Sequence, residues 1–158
     1  VTHTDVLYVW RVVVAFALAF GIGFERELRG SAAGDRTYAL VGTAAAALTA
    51  VTYRVSPQAV AGAITGIGFI GGGLVFREGV RNVRGVTSAA CIFAVAALGV
   101  VAGTGHLLLA ALVGALIMVD LEIRNIPFLN WLDARRYQGK LRDDMAMPMG
   151  MGPEDGDA

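Results

Sequence analysis

The chain has 158 residues, with 13 Lys and Arg against 13 Asp and Glu, a hydrophobic share of 56%, 21 Gly and a mean hydropathy of +0.62. That is more apolar than a water-soluble core requires, it is the opposite of the composition that keeps a chain disordered, and the balanced charge lacks the basic footprint of a nucleic-acid binder. Cys91 is the one cysteine, so no internal disulfide forms, and His3 and His106 are the only histidines, too few for a Cys/His metal cluster.

The apolar residues collect into five runs, and a helix needs about 20 such residues to cross a hydrocarbon core. The first, 6–24, has no basic residue before it and holds Arg11 inside it, which predicts a retained helix and not a cleaved secretion signal. The second, 38–53, is short. The third, 58–76, holds most of a dense glycine block, and the fourth, 86–102, is almost wholly apolar. The fifth, 107–123, carries Asp120 and Glu122 near its end, which softens its boundary and leaves four spans as the alternative count. Backbone amides inside lipid must bond to one another, and the ten-residue alternation of barrel strands is absent, so the runs are expected as helices. The predicted fold is all-α: a multi-pass transmembrane bundle of five helices.

Short cytoplasmic loops collect Lys and Arg, which gives an orientation. With the N-terminus outside, the first loop (Arg26, Arg29, Arg36), the third loop (Arg77, Arg81, Arg84) and the tail (Arg124, Arg135, Arg136, Lys140, Arg142) all lie in the cytoplasm. Only Arg54 then lies outside, while Arg11 reaches from within the first helix toward the outer interface. Residues 1–123 form the membrane domain. In 124–142, Pro127 ends the helix, and Phe128, Leu129, Trp131 and Leu132 precede basic residues, the pattern of an amphipathic segment lying on the inner surface. Residues 143–158 have no apolar period and read as a disordered tail.

The block from Gly66 to Gly73 matches Gly-x-Gly-x-x-Gly, but it lies inside a membrane-length run and not after a strand, so nucleotide binding is rejected. Gly62 and Gly66, or Gly68 and Gly72, are four apart and share a helix face where backbones can touch; with Gly71 and Gly73 they are assigned to helix packing, including self-association. A local break that lines a cavity is the other reading, since each Gly weakens a helix by roughly 1 kcal/mol relative to Ala.

Polar groups gather near the predicted inner face: Glu25, Arg26 and Glu27 at the end of the first run, Asp35, Arg36 and Thr37 before the second, and Arg84, Thr87 and Ser88 before and within the fourth. One reading is a solvated headgroup belt, with Glu25 and Arg29, and Asp120 and Arg124, as i, i+4 pairs. The other is a polar cavity or docking surface made by Arg11, Glu25, Arg26, Glu27, Arg36, Thr37, Arg84, Thr87 and Asp120, in which Glu25 and Asp120 are the expected buried carboxylates. A Mg²⁺ trap is not indicated, because three arginines balance the three carboxylates around the first loop. Through the rest of the thickness the polar stations are Thr43, Thr49, Thr52 and Thr65, which are expected to bond back to their own helices. An intramembrane hydrolase is also rejected: both histidines fall on the outer side, away from Ser88, and Cys91 sits in an apolar helix. No catalytic, cofactor or metal residue is assigned.

Arg11, Gly21, Gly23, Glu25-Arg26-Glu27, Arg36-Thr37 with Leu40-Val41, the Gly66 to Gly73 block, and Val83-Arg84-Gly85-Val86-Thr87-Ser88-Ala89-Ala90 together resemble the MgtC/SapB family of bacterial inner-membrane proteins, over about residues 11–119. Gly72, Val86 and Ser88 are small departures from the family blocks, and Asp35 and Tyr38 larger ones. The resemblance implies a five-helix, non-enzymatic inner-membrane protein linked to growth at low Mg²⁺. It further implies that such proteins act on other membrane proteins, the F-type ATP synthase and P-type Mg²⁺ transporters among them, and that this chain is the short form without a cytosolic regulatory domain. Contact regulation of another membrane protein is the leading expectation; a transporter or channel for Mg²⁺ or another ion, through a cavity at the third helix, is the rival.

Overall fold

The computed structural model describes residues 3–78 and 82–122, with side chains described outside 76–83. The chain divides into two units, Val1–Val119 and Asp120–Ala158. Of the second unit only residues 120–122 are described, so the expected interfacial segment 124–142 and tail 143–158 lie outside the described residues.

Five helices appear where the apolar runs predict them: α1 (His3–Leu28), α2 (Asp35–Thr52), α3 (Pro57–Gly73), α4 (Val86–Thr104) and α5 (Leu107–Glu122). Two of them, α1 and α4, are long and apolar enough to cross a membrane, with mean hydropathies of 2.0 and 2.2. The third run predicts a helix to residue 76, but α3 stops at Gly73. The chain then forms a short antiparallel hairpin, β1 (Phe76–Glu78) with β2 (Asn82–Arg84), in which Phe76 is registered with Arg84. Between the hairpin and α4 stands Gly85, at φ 87, packed against the Leu74 carbonyl; a side chain there would meet both a left-handed backbone and that oxygen.

The core lies between α1, α2 and α4, and it is made of small residues. Ala15, Ala19 and Gly23 recur every four residues along α1, as do Gly42, Ala46 and Ala50 on α2 and Gly99 and Gly103 on α4; all are buried. Backbones meet along these stripes: a Cβ placed on Gly99 would lie 2.5 Å from the Gly42 carbonyl oxygen, and one on Gly103 2.5 Å from that of Ala46. Ile92, Val95 and Leu98 fill the remaining space. The large apolar side chains point outward instead. Trp10, Phe16, Phe20 and Phe24 line the outer face of α1, the three phenylalanines stacked with ring centroids 5.9 and 6.2 Å apart.

The α3 glycines play a different part from those of the core. Helix α3 is continuous from Pro57 to Gly73, without the break weighed above, and of its glycines only Gly71 faces another helix closely: a Cβ placed on it would lie 3.7 Å from Ala89. Gly62, Gly66, Gly68, Gly72 and Gly73 face open space within the chain, beside an 87% exposed Phe69. Helix α5 touches the bundle through Ala110 and Gly114, the latter beside Leu98 and Leu18.

Candidate functional site

The end of α1 is shaped by one glycine. Gly30, at φ 65, turns the chain so that its N–H bonds the Glu27 carbonyl at 3.0 Å and the Ser31 N–H bonds that of Arg26 at 3.1 Å. This turn brings the Ser31 hydroxyl back over α1, 2.8 Å from the Ser88 hydroxyl in the first turn of α4. The Arg26 guanidinium donates to both, at 3.0 and 3.4 Å. Beneath them Tyr38 of α2, fully buried, donates its hydroxyl to the Ser88 carbonyl at 3.3 Å. Three elements distant in sequence are thereby tied at one point.

Around this point lies a cavity of about 500 Å³, lined by Arg26, Arg29, Ser31, Arg84, Thr87 and Ser88 with the adjoining loop backbone. Behind it, Glu25 is only 8% exposed and pairs with Arg29, the i, i+4 partner that the sequence indicates. The Arg26 Nε is buried without a hydrogen-bond partner. A second recess of about 400 Å³ is formed by Glu27, Gly34, Asp35, Arg36 and Thr37. There the Glu27 carboxylate packs on Gly34 at the start of α2, a favourable place for negative charge, and Asp35 accepts from the Arg36 backbone N–H.

Of the residues singled out from sequence, Glu25, Arg26, Arg84 and Thr87 thus gather around the first cavity, and Glu27, Arg36 and Thr37 around the second. Arg11 belongs to neither. It sits at the opposite end of α4, where its guanidinium donates to the Gly103 carbonyl at 3.2 Å, packs on Gly105 and lies 5.6 Å from the Tyr8 ring. It serves there as a cap on carbonyls that their own helix leaves unsatisfied. Asp120, expected with Glu25 as a buried carboxylate, is exposed in the last turn of α5. Arg124, its proposed partner, is outside the described residues.

Ser31 and Tyr38 are the site residues that sequence reasoning passed over. The signal for Ser31 was Gly30 directly after a helix end, the composition of a turn that folds the next residue back. Thr43, Thr52 and Thr65 donate to carbonyls four residues earlier, as expected, at 2.6 to 3.0 Å. Thr49 does not; its buried hydroxyl has no partner and lies under Gly103. Among the described residues no group of three or more His, Cys, Asp or Glu stands close enough to hold a metal ion.

Residues 12–126, which include both recesses and the small-residue core, match the model of the MgtC family. The chain belongs to the MgtC family. Protein MgtC of Salmonella typhimurium (strain 14028s) is 40% identical over 103 residues, covering 63% of this chain and 44% of that protein. Protein MgtC of Brucella abortus (strain 2308) is 46% identical over 96 residues, covering 58% and 40%. The chain therefore spans less than half the length of these curated relatives. No solved structure matches it.

Proposed function

We propose that this MgtC-family chain is a multi-pass protein of the bacterial inner membrane that regulates another membrane protein by direct contact, without enzymatic activity, as part of adaptation to low Mg²⁺. The observation that carries the reading is the inverted distribution of side chains: Ala and Gly inside, Phe, Leu, Val and Trp outside. In water such a surface would aggregate; in lipid, packing of small residues is what holds helices together. Five spans with the N-terminus outside and the C-terminus in the cytoplasm account for the basic loops. The open glycine face of α3 gives a partner helix, or a second copy of the chain, a surface on which backbones can approach closely. The family resemblance favours the ATP synthase or a cation transporter as that partner.

Contact is favoured over conduction because the described polar groups concentrate at the two ends of α4, while the space between α1, α2 and α4 is filled by apolar side chains. Photocrosslinking from Phe69 in native membranes, together with a Mg²⁺ flux assay on the purified chain in liposomes, tests the proposal. A specific crosslinked membrane protein and no flux are expected. Flux that is lost in Glu25→Gln would establish the transporter instead. Orientation is read separately, by labelling Arg54→Cys in a Cys91→Ala background: modification from outside intact cells is expected, and modification only after permeabilisation would reverse the topology.

A further inference from the structure

The end of the bundle opposite the two recesses holds a pair of cations, each braced on a tyrosine. The Arg11 guanidinium lies 5.6 Å from the Tyr8 ring and donates one N–H to the Gly103 carbonyl at the end of α4. Arg54, directly after the α2 C-cap Tyr53, lies 5.5 Å from that ring and donates its Nε to the Tyr53 hydroxyl at 2.8 Å. Tyr53, and to a lesser degree Tyr8, hold the Arg54 guanidinium above its ordinary pKa, so the phenol on α1 stands near the cation that follows α2. A ring face holds a guanidinium in place without cancelling its charge. Neither arginine forms an ion pair among the described residues, and Asp5 is the one carboxylate described at this end. The surface around the pair is apolar: Val6, Leu7, Val9 and Trp10 are exposed on the first turns of α1, and Val51 and Val55 are exposed on either side of Arg54.

We infer that Arg11 and Arg54, with Tyr8 and Tyr53, seat the headgroup of an anionic phospholipid. A soluble anion would meet the cations and leave the apolar flank in water. A phospholipid covers both, with its phosphate on the guanidinium groups and its acyl chains on the exposed Val, Leu and Trp side chains. Zwitterionic headgroups carry a phosphate too, but their own ammonium group offsets it, so the excess of positive charge at this end selects a headgroup of net negative charge. The inference rests on the reading of the chain as a membrane protein. It does not depend on the chain regulating a partner, or on which side of the membrane its N-terminus lies.

The test uses the full chain in vesicles of equal phosphatidylglycerol and phosphatidylcholine. A photoreactive benzophenone side chain at Val55, 86% exposed beside Arg54, samples the lipid at the seat, and the same group at Phe16, on the outer face of α1 away from the arginines, samples the bulk. The ratio of phosphatidylglycerol to phosphatidylcholine adducts is read by mass spectrometry. An excess of about fivefold or more at Val55 over Phe16 is expected, and Arg54→Gln should lower it about fivefold, the preference that one arginine near the surface confers. Arg11→Gln should lower it as well. Arg54→Gln changes an exposed side chain, so it decides the matter even if Arg11→Gln, which uncovers the Gly103 carbonyl, fails to fold. Equal ratios at the two positions, or an undiminished excess in Arg54→Gln, overturn the inference alone. Loss of the excess when inorganic phosphate replaces chloride at matched ionic strength gives the seat to a soluble anion and overturns the lipid assignment. A lack of lipid adducts at both positions overturns the membrane reading along with it.

Discussion

Replacing Gly99 by Ala tests whether α2 and α4 are held at backbone contact. The new Cβ would stand 2.5 Å from the Gly42 oxygen and 2.9 Å from the Ala45 Cβ, where ordinary contact begins at 3.4 Å, so the helices must part by nearly an ångström. Overpacking of a close interior costs about 1–3 kcal/mol, and a backbone obstacle that cannot rotate away places this site in the upper half. Ala recovers about 1 kcal/mol of helix propensity over Gly. A net loss of about 1–2 kcal/mol is therefore expected. Gly103→Ala, one turn later against the Ala46 oxygen, should behave alike, and the double variant should lose less than the sum, because one separation of the helices accommodates both methyl groups. Gly66→Ala is the control: nothing lies within 4 Å of the added methyl, so it should be neutral or stabilising by up to about 1 kcal/mol. Unfolding of the detergent-solubilised chain, followed by circular dichroism, ranks the three. If Gly99→Ala proves as stable as Gly66→Ala, the close approach of α2 and α4 is wrong.

In the same assay Arg11→Met should lose about 1–2 kcal/mol, because it uncovers the Gly103 carbonyl and removes a cation from the C-terminal end of α4; an unchanged midpoint would deny the cap. Tyr38→Phe keeps the ring in its buried seat and removes the hydroxyl's bond to the Ser88 carbonyl together with its interactions with Arg26 and Cys91, so a loss of about 1 kcal/mol or more is expected, and an unchanged midpoint would deny these bonds. Arg29→Gln should cost more than Glu25→Gln. The former strands a buried carboxylate and the latter removes it; with Arg29 partly open to solvent the difference is about 1–2 kcal/mol, and the double variant should regain most of it. Equal losses from the two single variants would show that Glu25 needs no cation.

Helix positions were legible because long apolar runs and Gly, Pro and Ser boundaries are local signals. The start of α4 was predicted at Val86 and is found there, with Gly85 before it. The hairpin was not legible: three-residue strands carry too little periodicity, and it is held by pairing across a turn. Which glycines pack inside the chain was not legible for a related reason. The crowded block in α3 draws attention by density, whereas the core of this chain uses single Gly and Ala residues spaced by four on α1, α2 and α4. Spacing of small residues on several helices was the usable signal, and it is visible in Ala15, Ala19 and Gly23 alone. The polar cluster was foreseen as a group, and Arg11, though named with it, was read as reaching toward the opposite end of its helix, where it is found; its partner there was not legible, because the bond to Gly103 joins residues 92 apart.

Arg11 and Arg26 are 15 positions apart on α1, and the groups they hold on α4, Gly103 and Ser88, are also 15 apart. Two antiparallel rods of equal pitch are thus pinned at both ends over a common length of roughly 22 Å. Such a gauge leaves no play: sliding α1 by one residue would release both pins together and swing them about 100° around the axis. An insertion or deletion anywhere between Arg11 and Arg26 should therefore be far less tolerable than any single substitution there, which makes the distance between these two arginines a heritable dimension of the bundle.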